Sequence, residues 1–224
     1  MVERLAHEAI EERGRFTLAL SGGSTPRALY ELLAQRSDLP WSQIELCFGD
    51  ERAVPPDDPA SNARMVHETL TQRPFVPPER VHRIRGELPA AEAARDYEQR
   101  LRQLFPGAAA ARFDLILLGL GADGHTASLF PDSPALAETR AWVAANRIEA
   151  LNTERITLTF PVLNAAAHVL FLVAGADKTH ALNELLAGSA PVSVIPARGV
   201  QPNSGTLTFF VDEAAAGSGE ETAH

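Results

Sequence analysis

Residues 15–36 read RFTLALSGGSTPRALYELLAQR, an apolar run that meets two glycines and continues into a helical pattern. Residues 15–20 predict a strand, because short apolar runs bounded by turn residues are typical of buried strands. Residues 26–36 predict a helix, with Thr25 as N-cap and Pro26 at the first helical position. The stretch therefore predicts a strand, a tight loop and a helix, which is the basic unit of an α/β fold.

The same alternation continues along the chain. The runs FDLILLG at residues 113–119 and HVLFLVA at residues 168–174 are almost entirely apolar, which is typical of strands covered on both faces in a parallel sheet. Further strands are predicted at residues 44–48, 81–85, 142–146, 155–160, 192–195 and 207–211. Further helices are predicted at residues 2–13, 61–72, 89–104, 161–166 and 178–186, with Ser61 as the N-cap of the second of these.

This order predicts a single three-layer, Rossmann-like α/β domain, in which helices flank a mostly parallel sheet. We expect the domain to cover residues 1–213. The ending AAAGSGEETAH, residues 214–224, has the composition of a flexible C-terminal tail.

Composition narrows the class of protein. The 224 residues carry a formal net charge of −9, which disfavours nucleic acids and anionic membranes as partners, and no apolar run is long enough to span a bilayer. The single cysteine, Cys47, excludes an internal disulfide and is expected to be a buried thiol. We expect a cytoplasmic protein that is a monomer or a weak homodimer.

Ligands of such folds bind at the carboxyl ends of the strands, so the loops there are the candidates for function. The first loop consists of Ser21, Gly22, Gly23, Ser24 and Thr25. Backbone N–H groups, hydroxyls and a helix N-terminus would together form a phosphate site, the alternative being a plain tight turn. The lysine of a nucleotide-binding P-loop is missing, so a nucleoside triphosphate is not indicated.

The second loop begins with Asp50, Glu51 and Arg52 and continues into a proline-rich segment. Charged residues at a strand end are often only solvated. Here the stiff connection would hold them at the mouth of the site, where the planar guanidinium of Arg52 is suited to bind substrate oxygens.

The third loop contains Gly119, Gly121 and Gly124 in the spacing of the dinucleotide-binding fingerprint. Pro131 interrupts the long helix that this fingerprint requires, so a nicotinamide enzyme is disfavoured. The loop also holds His125 close to Asp123. An imidazole with a reference pKa of about 6.5 can accept a proton from water, and a neighbouring carboxylate would fix its tautomer. A structural histidine is the alternative.

The fourth loop holds Lys178, the only lysine among 20 basic residues. An ammonium at the start of a helix, on the same sheet edge as the first loop, is a reasonable second phosphate contact. Arg198 is a weaker cationic candidate. A serine hydrolase elbow, a zinc-protease motif and paired cysteines are all missing from the sequence.

Taken together, these segments closely resemble the 6-phosphogluconolactonase family, within a wider group that includes glucosamine-6-phosphate deaminases. The resemblance covers about residues 16–215. Its most specific pieces are LALSGGSTPRALYELL, FGDERAVPPDDPASNARM, LILLGLGADGHTASLFPDSPAL, VLFLVAGADK and LTFFVDEAAA.

The resemblance implies hydrolysis of 6-phospho-glucono-δ-lactone to 6-phosphogluconate in the pentose phosphate pathway, with no organic cofactor and no obligatory metal. It implies His125 as general base, supported by Asp123, and Asp50 with Arg52 as residues that position the lactone. Lys178 and the loop from Ser21 to Thr25 would bind the phosphate. Gly124 and Arg198 are further candidate substrate contacts.

The sequence departs from the usual pattern of the family at two places, and two other functions are alternatives to lactone hydrolysis. Family members usually have an additional strand and a longer helix before the position of Arg15, and Arg198 stands where a less charged residue is expected. Hexosamine-phosphate deamination is the nearest rival, but the Asn-Glu pair of that branch is missing after His125, where the chain continues with Ser128. A sugar-phosphate sensor that binds without catalysis would need an output module.

Overall fold

A computed structural model describes residues 1–217, and the predicted α/β class is confirmed. Six parallel strands form the central sheet, in the order β4-β2-β1-β5-β8-β9. Their bounds are β1 Phe16–Leu20, β2 Ile44–Phe48, β4 Val81–His82, β5 Leu115–Gly119, β8 His168–Val173 and β9 Thr206–Val211. Every residue of β1 and β2 is buried, as expected for strands covered on both faces.

Helices connect these strands and cover the sheet. Their bounds are α1 Val2–Arg13, α2 Ser24–Leu33, α3 Asn62–Val66, α4 Ala90–Leu104, α5 Phe160–Leu163, α6 Thr179–Leu186 and α7 Glu213–Ala216. A π-helical turn, His67–Thr71, extends α3. None of the helices within residues 1–217 combines the length and the apolar character needed to cross a membrane.

A second, smaller sheet lies beside the first. It is antiparallel and has the order β3-β7-β6, where β3 is Asp50–Arg52, β6 is Val143–Ile148 and β7 is Thr153–Leu158. Gly49 joins the two sheets, because its N–H donates to Leu20 O at the end of β1 and its carbonyl accepts from Leu158 N in β7. The charged segment at Asp50 is therefore held by backbone pairing at the edge of the main sheet.

The predicted thiol is buried: Cys47 lies in β2 with no exposed surface, and burial raises its pKa well above the ordinary value. Two buried tyrosines hold the ends of β1 and β2. The Tyr30 hydroxyl accepts from Ser21 N and donates to Ser21 O, and the Tyr97 hydroxyl bonds the N–H and the carbonyl of Phe48 in the same way. Each tyrosine hydroxyl thereby fixes the backbone where β1 or β2 ends and a loop begins.

Three details of the prediction are wrong. Residues 192–195 are not a strand, because Val194 and Ile195 both donate backbone N–H groups to Pro191 O and form a turn. Thr25 is not an N-cap, because α2 begins at Ser24, two residues before the predicted Pro26, and its N-cap is Gly23, with no side-chain cap. β3 was not predicted.

The boundary of the predicted tail also differs. The structure has the short helix α7 at Glu213–Ala216, within the segment assigned to the tail. Ala215 is buried, Asp212 caps the helix through Ala215 N, and Thr179 Oγ1 donates to Ala214 O. The folded part thus extends beyond residue 213. Residues 218–224 of the predicted tail lie outside the described residues.

Candidate active site

A cleft of about 230 Å³ opens at the carboxyl ends of the central strands. It is lined by parts of all four loops that the sequence singled out. The predicted residues on its wall are Ser21, Gly22, Gly23, Ser24, Thr25, Asp50, Arg52, His125 and Lys178. Asp123 reaches the cleft only through His125, and Gly124 and Arg198 are not among the lining residues.

The first loop presents the uncapped N-terminus of α2 to the cleft. Gly23 adopts a φ of 109°, a conformation that L side chains rarely adopt, and α2 begins at the next residue. Gly22 lies against Asn62 so closely that a Cβ there would come 2.0 Å from Asn62 Oδ1. Both glycines are therefore required, and the positive end of the α2 dipole is open to an anion.

Buried polar atoms without partners also face this cleft. Among the described residues, the buried side-chain polar atoms with no hydrogen-bond partner are Ser21 Oγ and Arg52 Nε. Both residues line the same cavity. Buried polar groups are nearly always hydrogen-bonded, so unpaired ones on a cavity wall indicate a ligand with polar atoms.

Lys178 lies on the cleft wall beside the first loop. Its Nζ is 2.8 Å from Asp177 Oδ2, and the side chain is only partly exposed. The hydrogen bond from Lys178 lowers the pKa of Asp177. Gly175, at φ 102°, makes the turn that leads into this segment, and its N–H donates to the Asp212 carboxylate. The ammonium is thus held in place and shares its charge with one exposed carboxylate.

His125 is oriented by contacts on two sides. Its Nδ1 is 2.5 Å from Asp123 Oδ1, and its ring stacks on Phe130 with centroids 4.1 Å apart. An ionised carboxylate only accepts, so Nδ1 carries the hydrogen and the neutral ring has its lone pair on Nε2. The Asp123 pKa is lowered overall: burial raises it, but the hydrogen bond and charge of His125 outweigh that effect.

The backbone around His125 is tightly folded. Gly121 N donates to His125 O, and a Cβ on Gly121 would come 2.0 Å from His125 Nδ1. Ala127, which also lines the cleft, has a φ of 47°, an uncommon conformation for a residue with a Cβ. Gly121, one of the three glycines that resembled a dinucleotide fingerprint, therefore makes room for the histidine and its carboxylate.

Asp50 lines the cleft, but both of its carboxylate oxygens accept hydrogen bonds from the protein. Oδ2 is 2.6 Å from Ser128 Oγ, and Oδ1 is 3.2 Å from Asn62 Nδ2. The residue is 6% exposed. Its carboxylate is thus mainly occupied by neighbouring loops.

Arg52 is held at the mouth of the cleft by the proline-rich segment, because its Nη1 donates to Ala60 O at 2.6 Å. The neighbouring Glu51 is buried and accepts from the backbone N–H groups of Arg52, Asn62 and Ala63. Burial raises the pKa of Glu51. Burial and the charge of Arg52 lower the pKa of Arg155, its cross-strand partner. Two guanidinium groups therefore lie close together near the cleft.

Gly124 and Arg198 serve the packing of the loops. Gly124 O accepts from Ala197 N, and a Cβ on Gly124 would come 2.7 Å from Ile195 Cδ1. Arg198 Nη1 donates to Ala190 O at 2.5 Å. The contacts of Gly124 attach the segment around residue 195 to the His125 loop.

Sequence reasoning missed the buried polar residues that support the site, chiefly Asn62, and assigned no specific role to Ser128 and Phe130. Asn62 directly follows the capping Ser61, and no sequence pattern separates it from an ordinary residue of a first helical turn. Within residues 1–217, no group of three or more His, Cys, Asp or Glu side chains is placed to hold a metal ion.

Comparison with known proteins identifies the family of this chain. A family model described as glucosamine-6-phosphate isomerases/6-phosphogluconolactonase matches residues 1–209. A 6-phosphogluconolactonase from Nostoc sp. is 44% identical over 212 residues, covering 92% of this chain and 86% of the relative. One from Homo sapiens is 42% identical over 209 residues, covering 91% of this chain and 81% of the relative.

The fold is similar to that of solved lactonases. A structure of 6-phosphogluconolactonase from Trypanosoma cruzi superposes with a TM-score of 0.86 at 30% sequence identity, covering 99% of this chain and 90% of that chain.

Proposed function

This chain belongs to the family of glucosamine-6-phosphate isomerases and 6-phosphogluconolactonases, and we propose that it hydrolyses 6-phospho-D-glucono-1,5-lactone to 6-phospho-D-gluconate with His125 as general base. This lactone hydrolysis is a step of the pentose phosphate pathway. The observation that carries the proposal is the meeting of a free imidazole nitrogen with an uncapped helix N-terminus and an ammonium in one cleft.

The substrate phosphate binds at the N-terminus of α2, between the loop of Ser21 to Thr25 and Lys178. Backbone N–H groups and the helix dipole favour a dianion there, and Ser21 Oγ is available as a further hydrogen-bonding group. Lys178 adds a charge-assisted contact and exchanges its ion pair with Asp177 for the phosphate. Binding this remote group holds the lactone carbonyl against the base.

In the chemical step, Nε2 of His125 takes a proton from a water molecule as the water oxygen attacks the lactone carbonyl carbon. The carbonyl electron pair moves to its oxygen and gives a tetrahedral oxyanion, which the Arg52 guanidinium or nearby backbone N–H groups stabilise. When the oxyanion collapses, the bond to the ring oxygen breaks, and the imidazolium returns its proton to that oxygen. Asp123 stabilises the imidazolium and holds its orientation, so it is a positioning residue.

The chemistry of this proposal needs no resident metal or organic cofactor, since an imidazole and preorganised donors supply both proton transfer and charge stabilisation. A cytoplasmic location and a monomeric or weakly dimeric state are part of the same proposal. Cell fractionation and light scattering of the purified protein test them.

A direct assay of the purified chain tests the function. Acid release from freshly prepared 6-phospho-glucono-δ-lactone is followed with the spontaneous hydrolysis subtracted, and ammonia release from glucosamine 6-phosphate is measured in parallel. We expect rapid lactone turnover and no ammonia. Robust ammonia release without lactonase activity would assign the chain to the deaminase branch.

A further inference from the structure

Three buried polar side chains, Asn62, Asp50 and Ser128, connect the phosphate-binding loop to the loop of His125. Their exposed fractions are 3%, 6% and 1%. Asn62 Nδ2 donates to Asp50 O and Oδ1, and Ser128 Oγ donates to Asp50 Oδ2. We call this chain of side chains the brace. It runs from the residue that packs against Gly22 to the loop of His125.

One end of the brace supports the phosphate-binding loop. The close approach of Asn62 Oδ1 to Gly22 leaves no room for a side chain on the loop. Asn62 is itself fixed, because its backbone N–H donates to Glu51 Oε1 at 2.7 Å. The fixed Asn62 side chain therefore packs directly against the loop that leads into α2.

The other end of the brace holds the His125 loop. Ser128 follows His125 by three residues, with the positive-φ residue Ala127 between them. Ser128 N donates to Thr157 Oγ1, and Ser128 O accepts from Asn146 Nδ2. The N–H, the carbonyl and the hydroxyl of Ser128 therefore all have hydrogen-bond partners. The fixed position of Ser128 limits where the imidazole can lie.

We propose that the brace sets the distance between the phosphate-binding loop and His125, and that Asn62 and Ser128 are positioning residues for the reaction. This inference rests on the proposed function, in which one substrate must reach both loops at once. Misplacement by about 1 Å can cost about 100-fold in rate when binding and chemistry lie in different parts of a site. Without the brace, the phosphate-binding loop still binds phosphate and His125 still accepts a proton, but the distance between them no longer fits one substrate.

The test compares phosphate binding, which needs only the phosphate-binding loop, with catalysis, which needs this loop and His125 at the right distance. Ser128→Ala and Asn62→Ala each remove one contact of the brace, and Thr159→Val is the matched control. Thr159 is a fully buried hydroxyl whose Oγ1 donates to Ala141 O at 2.6 Å, away from both loops. For each protein the measurements are kcat on the phospholactone, the inhibition constant of inorganic phosphate, and the thermal midpoint.

We expect both brace variants to lower kcat by about tenfold or more while the phosphate inhibition constant changes less than about threefold. The control is expected to keep kcat within about twofold, even if its thermal midpoint falls. The double variant is expected to cost no more than the worse single variant, because both break the same connection.

Three results would overturn the inference. Either kcat remains near the wild-type value in both brace variants, or kcat falls only together with phosphate affinity, or phosphate does not inhibit the wild type at all. Failure of the proposed function is distinguishable, since it would appear as a wild-type protein without lactonase activity.

Discussion

Nδ1 of His125 lies 2.5 Å from Oδ1 of Asp123, two residues earlier in the same loop. The backbone N–H of His125 donates to the same oxygen at 3.1 Å. A single carboxylate oxygen thus fixes both the fold of the loop and the tautomer of the ring. This arrangement leaves Nε2 as the basic atom of the neutral ring.

Asp123→Asn is expected to lower kcat by about 10- to 100-fold, because the amide no longer dictates the tautomer or stabilises the imidazolium. Steady-state kinetics on the phospholactone at a fixed pH near neutrality, with the spontaneous hydrolysis subtracted, measures this loss. A kcat close to that of the wild type would exclude Asp123 from orienting the base.

The same carboxylate predicts a pH dependence of stability. The pKa of Asp123 is lower in the folded protein than its ordinary value, so its ionised form stabilises the fold. That contribution is fully present above the unfolded pKa of about 3.9 and is lost as the pH falls through the folded value. We expect the free energy of unfolding of the wild type to decline more steeply than that of Asp123→Asn below about pH 4. Urea titrations at several pH values measure the difference, and parallel curves would contradict it.

Lys178→Ala is expected to raise KM and lower kcat/KM by about 10- to 100-fold, because a charge-assisted phosphate contact is lost. Arg198→Ala is the matched control: it also removes one cation, but Arg198 is bonded to Ala190 O and does not line the cleft. We expect its KM to stay within about threefold of the wild type. Equal losses of kcat/KM in the two variants would show that Arg198 contacts the substrate.

Gly22→Ala is expected to impair both stability and activity. The added methyl group would overlap Asn62 Oδ1, and overpacking of this kind typically costs about 1–3 kcal/mol. Denaturant unfolding and the phosphate inhibition constant measure the two effects. In an Asn62→Ala background the added cost of Gly22→Ala is expected to be smaller, because the overlapping atom is gone. An identical cost in both backgrounds would show that the contact with Asn62 is not the cause.

The alternation of strands and helices could be predicted because parallel strands buried on both faces leave continuous apolar runs. The strand Asp50–Arg52 could not, since its partner Thr153–Leu158 lies about a hundred residues later and its own side chains are charged. Residues 192–195 were misassigned because their branched side chains favour a strand, whereas the turn on Pro191 depends on contacts with the His125 loop.

The residues of the site also fall into those that could be predicted from the sequence and those that could not. Groups that project into the cleft, such as His125 and Lys178, could be predicted from their loops alone. Asn62 could not, because its role comes from lying between Gly22 and Asp50, which are distant in the sequence and meet only after folding. For the same reason the sequence did not reveal that both oxygens of Asp50 are already bonded.

The turnover of His125→Ala on the phospholactone tests the central claim most directly. With the spontaneous reaction subtracted and the fold verified by circular dichroism, we predict a kcat about 10² to 10⁴ times lower than that of the wild type. The KM is expected to change little, because the phosphate contacts are intact. A variant that turns over the lactone at the wild-type rate would contradict the assignment of His125 as the base.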